Sequence, residues 1–445
     1  MQSYGLIRVT VATPSRRVDM ALPEHAAVAE ILPGLLAHTG EPGAADGGWL
    51  LRRADGTAFD PERTLGGYRV RDGEILHLTP RRTDWPEVEY DDLADAVATG
   101  ATGRGWGPRH TRAAGLTCGA GAVLLGLLAV LRAGPPWTAP ALWALGVAGA
   151  ALVAGVVASR AFGDAGTGAV LAGVALPLAF AGGGLLLAGD ESRFGAGHLL
   201  LAGAALLLAG VIGYVGVAAA PALFCGAATV GVLTVLGGWL AGTDTVAGHR
   251  AAAVVGAVAL VVSSGFAPLA LRLGRVPMPV LPRSAADLVR DEPQPPLAVV
   301  HAAVARADAL LTGMLCGVAL VAACCAALLV RSRGTAELVL VGVLAAGFGL
   351  RARLYPVVRQ RVPVLAAGLV GAGSLVLVGA PLIAGTVAVA GAALAVGAGL
   401  VRSVRAAGPY AGRIAEYLEM LIMVAVVPVA CWVLGLYDHM RGLGG

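Results

Sequence analysis

The groups in this sequence that could do chemistry are six cysteines, eight histidines and 28 carboxylates, and their placement argues against most of that chemistry. Cys118, Cys225, Cys316, Cys324, Cys325 and Cys431 all fall inside apolar runs, and no two have CxxC spacing. They read as small hydrophobes rather than metal ligands or redox thiols. There is no lysine, so all 32 basic residues are arginine. A phosphate-loop ATPase needs a lysine on the β/γ-phosphates and a pyridoxal enzyme needs one for its Schiff base, so neither chemistry is available. No Ser/His/Asp, Cys/His or paired-carboxylate arrangement stands out. The chain therefore reads as a non-enzyme without a cofactor.

One further chemical signature is the ending RGLGG (441–445), which looks like the diglycine tail used in ubiquitin conjugation. That tail must follow its β-grasp fold directly, and here a long apolar body intervenes. The remaining ionisable residues of that body, among them Asp164, Asp190, Glu191, His198, His249, Asp308, Glu337, Glu416, Glu419 and Asp438, sit at the ends of apolar runs. A secondary transporter with a regulatory head, the alternative reading, would keep such groups near mid-membrane, where each is costly and so usually functional. Glu416 and Glu419 are expected in the first turn of the last span beside Arg413. A helix dipole or an intrachain ion pair accounts for them, and a partner's arginine is the sharper alternative.

The elements that carry these residues divide into two kinds. With 57% hydrophobic and 13% charged residues and a mean hydropathy of +0.77, the chain belongs with integral membrane proteins. Residues 1–112 nevertheless hold 16 of the 28 acidic and 13 of the 32 basic groups, a slightly acidic head before a basic body. In the head, GLIRVTVAT (5–13) and RRVDMALP (16–23) alternate apolar and polar residues as an antiparallel hairpin does. EHAAVAEILPGLLAHTG (24–40) is spaced as a helix that Pro33 should bend or end. WLLRRADGTAFD (49–60) and TLGGYRVRDGEILHLTP (64–80) supply further strands with two D-G turns. The order strand, strand, helix, strand, short strand, strand is that of a ubiquitin-like β-grasp domain over residues 1–80, with Gly73 supplying the positive φ of the last turn.

Residues 81–112 form a linker, acidic at first and basic at its end. YDDLADAVA could make a short helix with Leu93 on one side, and Trp106 with Arg109, His110 and Arg112 suits an interfacial anchor contacting membrane lipid. Residues 113–441 contain eleven stretches long and apolar enough to span: 113–131, 139–158, 166–188, 197–217, 221–241, 249–271, 307–330, 336–354, 362–380, 382–401 and 415–436. With a cytoplasmic amino terminus, thirteen arginines of the body fall inside and six outside, which fits the positive-inside rule and puts the carboxyl terminus outside. No amino-terminal secretory signal is read, since residues 3–23 alternate instead of forming an apolar block. The longest loop, 272–306, carries Arg275, Pro277, Pro279, Pro282 and Arg283. It reads as a docking segment or a plain tether.

The order of parts resembles the EccD family, the integral membrane component of type VII (ESX) secretion systems. The features that carry the resemblance are the head ending VRDGEILHL, the acidic linker YDDLADAV with a following Trp106-Gly-Pro, eleven spans, and FAPLALRLGRVPMP leading from the sixth span into its loop. The resemblance implies a non-enzymatic scaffold in the inner membrane, two copies packed together beside EccB-, EccC- and EccE-like components, EccC being the ATPase. It implies that the head and the long loop are partner surfaces. The candidate partner contacts are thus Asp72, Gly73, Leu93, Arg275, Pro277, Pro279, Pro282 and Arg283. No nucleic acid partner is implied.

Overall fold

The computed structural model describes residues 5–13, 16–39, 48–80, 106–189, 195–243, 246–277, 296–379, 381–404 and 409–443. The chain divides into two compact units, Met1–Gly105 and Trp106–Gly445, and each is described by itself.

The first unit is a four-stranded mixed sheet crossed by one helix. Strands β1 (Leu6–Ala12) and β2 (Arg17–Pro23) form the antiparallel hairpin, helix α1 spans Val28–Thr39, and β3 (Trp49–Arg53) and β4 (Glu74–Pro80) complete the sheet in the order β2-β1-β4-β3. The central pair, β1 with β4, is parallel, with Val9 opposite Glu74 and Val11 opposite Leu76. Alternation sets the buried face. Val9, Val11, Leu51, Leu76 and Leu78 are at most 2% exposed and meet Leu35 of α1, Phe59 and Leu65 beneath the sheet. Burial of each such side chain contributes roughly 1.5–3 kcal/mol.

Two expectations for the head change. Pro33 does not end α1, which runs on to Thr39 because Ile31 and Leu35, on either side of it, are both held in the core. The helix finishes instead where Arg16 donates to the carbonyls of Thr39 and His38, each at 2.6 Å, a cation at a helix carboxyl end. The short strand before β4 is replaced, among the described residues, by isolated bridges (Ala27 with Thr64, Arg52 with Ala58) and a 3-10 turn at Gly66–Tyr68. Two consecutive glycines there offer no side chains for a strand to pack.

The second unit is helical: α2 (Pro108–Leu131), α3 (Thr138–Arg160), α4 (Ala165–Leu185), α5 (Ala196–Gly216), α6 (Pro221–Ala241), α7 (Gly248–Ser263), α8 (Phe266–Leu273), α9 (Leu297–Ser332), α10 (Thr335–Arg351), α11 (Val358–Val378), α12 (Pro381–Val404), α13 (Pro409–Val433) and α14 (Leu436–Leu443). Nine helices among the described residues are long and apolar enough to cross a membrane, and ten crossings result if the bent pair α7 and α8 is one. This is a multi-pass membrane protein.

The expected straight span 249–271 is broken, with 62° between α7 and α8. Pro268 has no N–H for the carbonyl of Ser264, and Ser264-Gly265 is a weak helical pair at the same place. Helix α9 starts at Leu297, inside the stretch expected as loop, and its 36 residues reach about 54 Å, well beyond a hydrocarbon core of about 30 Å.

Glycine lets these helices touch backbone to backbone. A Cβ on Gly155 of α3 would lie 2.8 Å from the carbonyl oxygen of Gly168 in α4, and one on Gly231 of α6 would lie 2.7 Å from the backbone nitrogen of Leu207 in α5. In lipid, where apolar surface gives no drive for helices to associate, such close approach is a main source of packing energy.

Candidate functional site

In the head, the predicted contact residues Asp72 and Gly73 form the turn that enters β4. An Asp72 carboxylate oxygen accepts the backbone N–H of Arg8 at 2.8 Å, and the N–H of Gly73 donates to the Arg8 carbonyl at 2.7 Å. Both backbone groups of Arg8, on β1, are thereby satisfied by one dipeptide on β4's approach. Gly73 sits at φ +80°, the left-handed region that glycine enters without strain. Both residues are exposed, so the same turn that clips the sheet together also lies at its surface.

This turn forms one wall of a shallow groove of about 630 Å³, lined by Arg53, Tyr68, Arg69, Arg71, Asp72, Gly73 and Glu74. Its floor is rigid. Tyr68 packs edge-on against Phe59 with ring centroids 4.6 Å apart, and its hydroxyl accepts the N–H of Asp60 at 2.8 Å. Arg63 lies over the Tyr68 ring at 5.6 Å. Glu74 is consumed within the fold: one carboxylate oxygen pairs with Arg53 and the other accepts the Arg71 backbone N–H at 2.9 Å. Burial pushes the Glu74 carboxyl up, but the Arg71 N–H and the Arg53 guanidinium outweigh it, and the group sits below the usual glutamate range. Arg69 and Arg71 are exposed, and among the described residues neither guanidinium has a hydrogen-bonded or ion-paired partner.

Of the candidates in the second unit, Arg275 and Pro277 lie exposed just past α8, with Arg275 at φ +53° and its N–H on the Arg272 carbonyl at 3.1 Å. Leu93, Pro279, Pro282 and Arg283 lie outside the described residues, as does the acidic part of the linker.

The second unit also holds a cluster that the sequence pattern does not reveal. Arg351, at the end of α10, is 3% exposed. Its guanidinium donates to the Leu260 carbonyl and the Ser263 hydroxyl, both at 2.5 Å, and to Glu419 of α13 at 3.3 Å. The other Glu419 oxygen accepts from Arg353 at 3.1 Å. Leu260 and Ser263 are the last turn of α7, where the helix breaks, and Arg351 shares the Leu260 carbonyl there with the Ser263 hydroxyl, which donates to it at 2.7 Å. Glu419 was expected in the first turn of its span beside Arg413. Because α13 starts at Pro409, Glu419 lies well inside the helix, and its partners are Arg351 and Arg353. A second clip joins α9 to α11, where Asp308 accepts from Arg359 at 2.6 Å and from the buried Gln360 at 2.7 Å. Arg351 is one of the thirteen arginines that the positive-inside reading places on the cytoplasmic side. It is a buried structural residue, and removing it from the count leaves the sign of the asymmetry unchanged. Among the described residues, no three His, Cys, Asp or Glu side chains are grouped to hold a metal.

Comparison with known proteins follows the two units. The family model described as the EccD-like transmembrane domain matches residues 111–443, and the one described as the WXG100 protein secretion system (Wss) protein YukD matches residues 6–78. The chain is 28% identical over 475 residues to the ESX-4 secretion system protein eccD4 of Mycobacterium tuberculosis, covering 99% of this chain and 98% of that protein. It is 30% identical over 168 residues to the ESX-3 secretion system protein EccD3 of the same organism, covering 34% of this chain and 35% of that one. A solved structure of protomer 1 of the ESX-3 core complex aligns with a TM-score of 0.61 at 24% identity, over 98% of this chain and 100% of that one. A chain of the MycP5-free ESX-5 inner membrane complex, State II, aligns with a TM-score of 0.58 at 17% identity, over 96% and 99%. At these identities the structural likeness shows a shared fold.

Proposed function

The chain belongs to the EccD family, and on that premise we propose that it is a non-enzymatic scaffold of an ESX-type secretion complex in the cell membrane. Its head and the segment after α8 face the cytoplasm and dock an EccC-like ATPase. EccB- and EccE-like proteins and a second copy of this chain complete its neighbours within the membrane.

The observation that carries the scaffold reading is the fate of the charges that lie between helices. The buried Arg351 is bonded to Glu419 and to the Leu260 carbonyl, the partly exposed Asp308 is bonded to Arg359 and Gln360, and these bonds tie helices together. Charges spent this way stabilise a fixed bundle, whereas a transporter keeps its ionisable groups for a moving ion or substrate. The absence of lysine fits the same division of labour, since the ATPase must then be another chain.

The ion clips also support the expected count of eleven crossings. Helix α10 ends at Arg351 and α11 begins nearby, at the rim where Asp308 holds Gln360. Helix α11 then leaves that rim, yet Glu419 of α13 returns to Arg351. A crossing by α12, whose 24 residues reach about 36 Å, supplies the return. With the amino terminus inside, the carboxyl terminus is outside.

Deletion of the gene in its native host tests this reading. Export of small WxG-type proteins is expected to stop and to resume when the full chain is supplied. Normal export in the deletion strain, or solute uptake by proteoliposomes holding this chain alone, contradicts it.

A further inference from the structure

We propose that the groove between Tyr68 and Glu74 is a binding site for an acidic, extended peptide segment of a partner protein, with Arg69 and Arg71 as its carboxylate forks. The proposal rests on the docking role assigned to the head and names the surface and the chemistry through which that docking occurs.

Three observations carry it. First, arginine outnumbers carboxylate in the groove. Glu74 is held by Arg53 and the Arg71 N–H, one Asp72 oxygen accepts the Arg8 N–H, and three guanidiniums face two carboxylates, with those of Arg69 and Arg71 exposed. Guanidinium is the side chain best matched to bidentate carboxylate recognition.

Second, Arg69 and Arg71 flank Val70, which is 7% exposed and anchored in the core. The two side chains are thus carried on one turn, their Cα atoms no more than about 7 Å apart. Acidic residues close together in a partner segment reach both, and the open, shallow shape suits a strand of chain better than an enclosed small molecule.

Third, Arg69 occupies a position that favours glycine. It stands at φ +50° as the cap of the 3-10 turn, just after two glycines that the same sequence spends elsewhere in the turn. A large charged side chain kept in a left-handed conformation carries a backbone cost that is offset if the side chain is used.

That third point supplies a variant that separates folding from binding. Arg69→Gly relieves the left-handed strain while deleting the guanidinium, so the head keeps or gains thermal stability. The full chain in nanodiscs of phosphatidylcholine is titrated with fluorescein-labelled poly-glutamate peptide and read by anisotropy. Wild type binds, with an affinity that falls as salt is raised. The variant Arg69→Gly/Arg71→Ala binds about fivefold to tenfold more weakly. Arg17→Ala/Arg52→Ala, which removes equal charge outside the groove, binds as wild type does.

Equal loss in both double variants means general charge attraction and overturns the proposal. So does a dependence on Arg69 and Arg71 seen only for binding of the phosphatidylcholine nanodiscs to phosphatidylglycerol vesicles and not for the peptide, since the groove then prefers lipid. Recovery of an ATPase partner from the native host by wild type but not by Arg69→Gly/Arg71→Ala is expected. Recovery by both refutes the groove and leaves the docking role standing, whereas recovery by neither refutes the docking role itself.

Discussion

Arg351 and Glu419, 68 positions apart in sequence, form an ion pair at 3.3 Å between the end of α10 and the interior of α13, with the arginine 3% exposed. Glu419→Ala leaves the Arg351 cation nearly buried with only the neutral Leu260 carbonyl and Ser263 hydroxyl as acceptors, whereas Arg351→Ala leaves Glu419 paired with Arg353. Glu419→Ala is therefore expected to cost about 3–5 kcal/mol and Arg351→Ala less, about 1–3 kcal/mol, with the double variant below their sum. Thermal unfolding in detergent, followed by intrinsic fluorescence, reads the difference. Strictly additive losses would show that the two side chains do not act together.

The turn at Asp72-Gly73 contributes through two separate physical terms. Asp72→Ala leaves the Arg8 N–H without its acceptor, a loss of about 1 kcal/mol. Gly73→Ala meets no atom within 4 Å and so costs only the left-handed conformation, also about 1 kcal/mol. Urea denaturation of the head should show both losses with an unchanged slope. A neutral Gly73→Ala would mean that the turn does not require positive φ.

Glu74 makes the head sensitive to acid. Its carboxyl titrates below the reference value of 4.5, so its contribution is fully present above that value and is lost as the pH falls through the lower, folded value. The stability of the wild-type head is expected to decline below about pH 4.5, and Glu74→Gln is expected to flatten that decline. The same slope in both proteins would remove Glu74 as its cause.

Much of this architecture was legible from pattern. Period-2 alternation in β1 and β4 set which side chains are buried, and the two D-G pairs marked turns that do adopt positive φ at Gly56 and Gly73. What stayed hidden was long-range. Arg351 lies next to loop residues in sequence and resembles any positive-inside arginine. Only the arrival of α7 and α13 around it makes it a core residue. The break at Ser264-Gly265 had a local signal in Pro268, but a long apolar run outweighs one proline when spans are read by length. In the head, nothing local distinguishes Arg69 and Arg71 from other surface arginines, since the pairing that occupies Glu74 is with Arg53, 21 positions away.

Glycine abundance likewise hid which glycines pack. Gly155→Ala would place its Cβ 2.8 Å from the Gly168 carbonyl oxygen and 2.9 Å from the Ala172 Cβ, so it is expected to force α3 and α4 apart at about 1–3 kcal/mol. Gly149→Ala, six positions earlier in the same helix, meets nothing within 4 Å and is expected to be neutral or mildly stabilising. Thermal shifts of the two variants in the same detergent make the comparison. Equal effects would contradict the assigned helix contact.

The central claim, that this chain is a scaffold within an ESX-type secretion complex, is tested most directly by affinity purification of the tagged full chain from its native host in mild detergent. The predicted result is a large assembly that contains a phosphate-loop ATPase and at least one further membrane protein in fixed proportion to this chain. Elution of the chain alone, or only with copies of itself, at native expression levels would contradict the account.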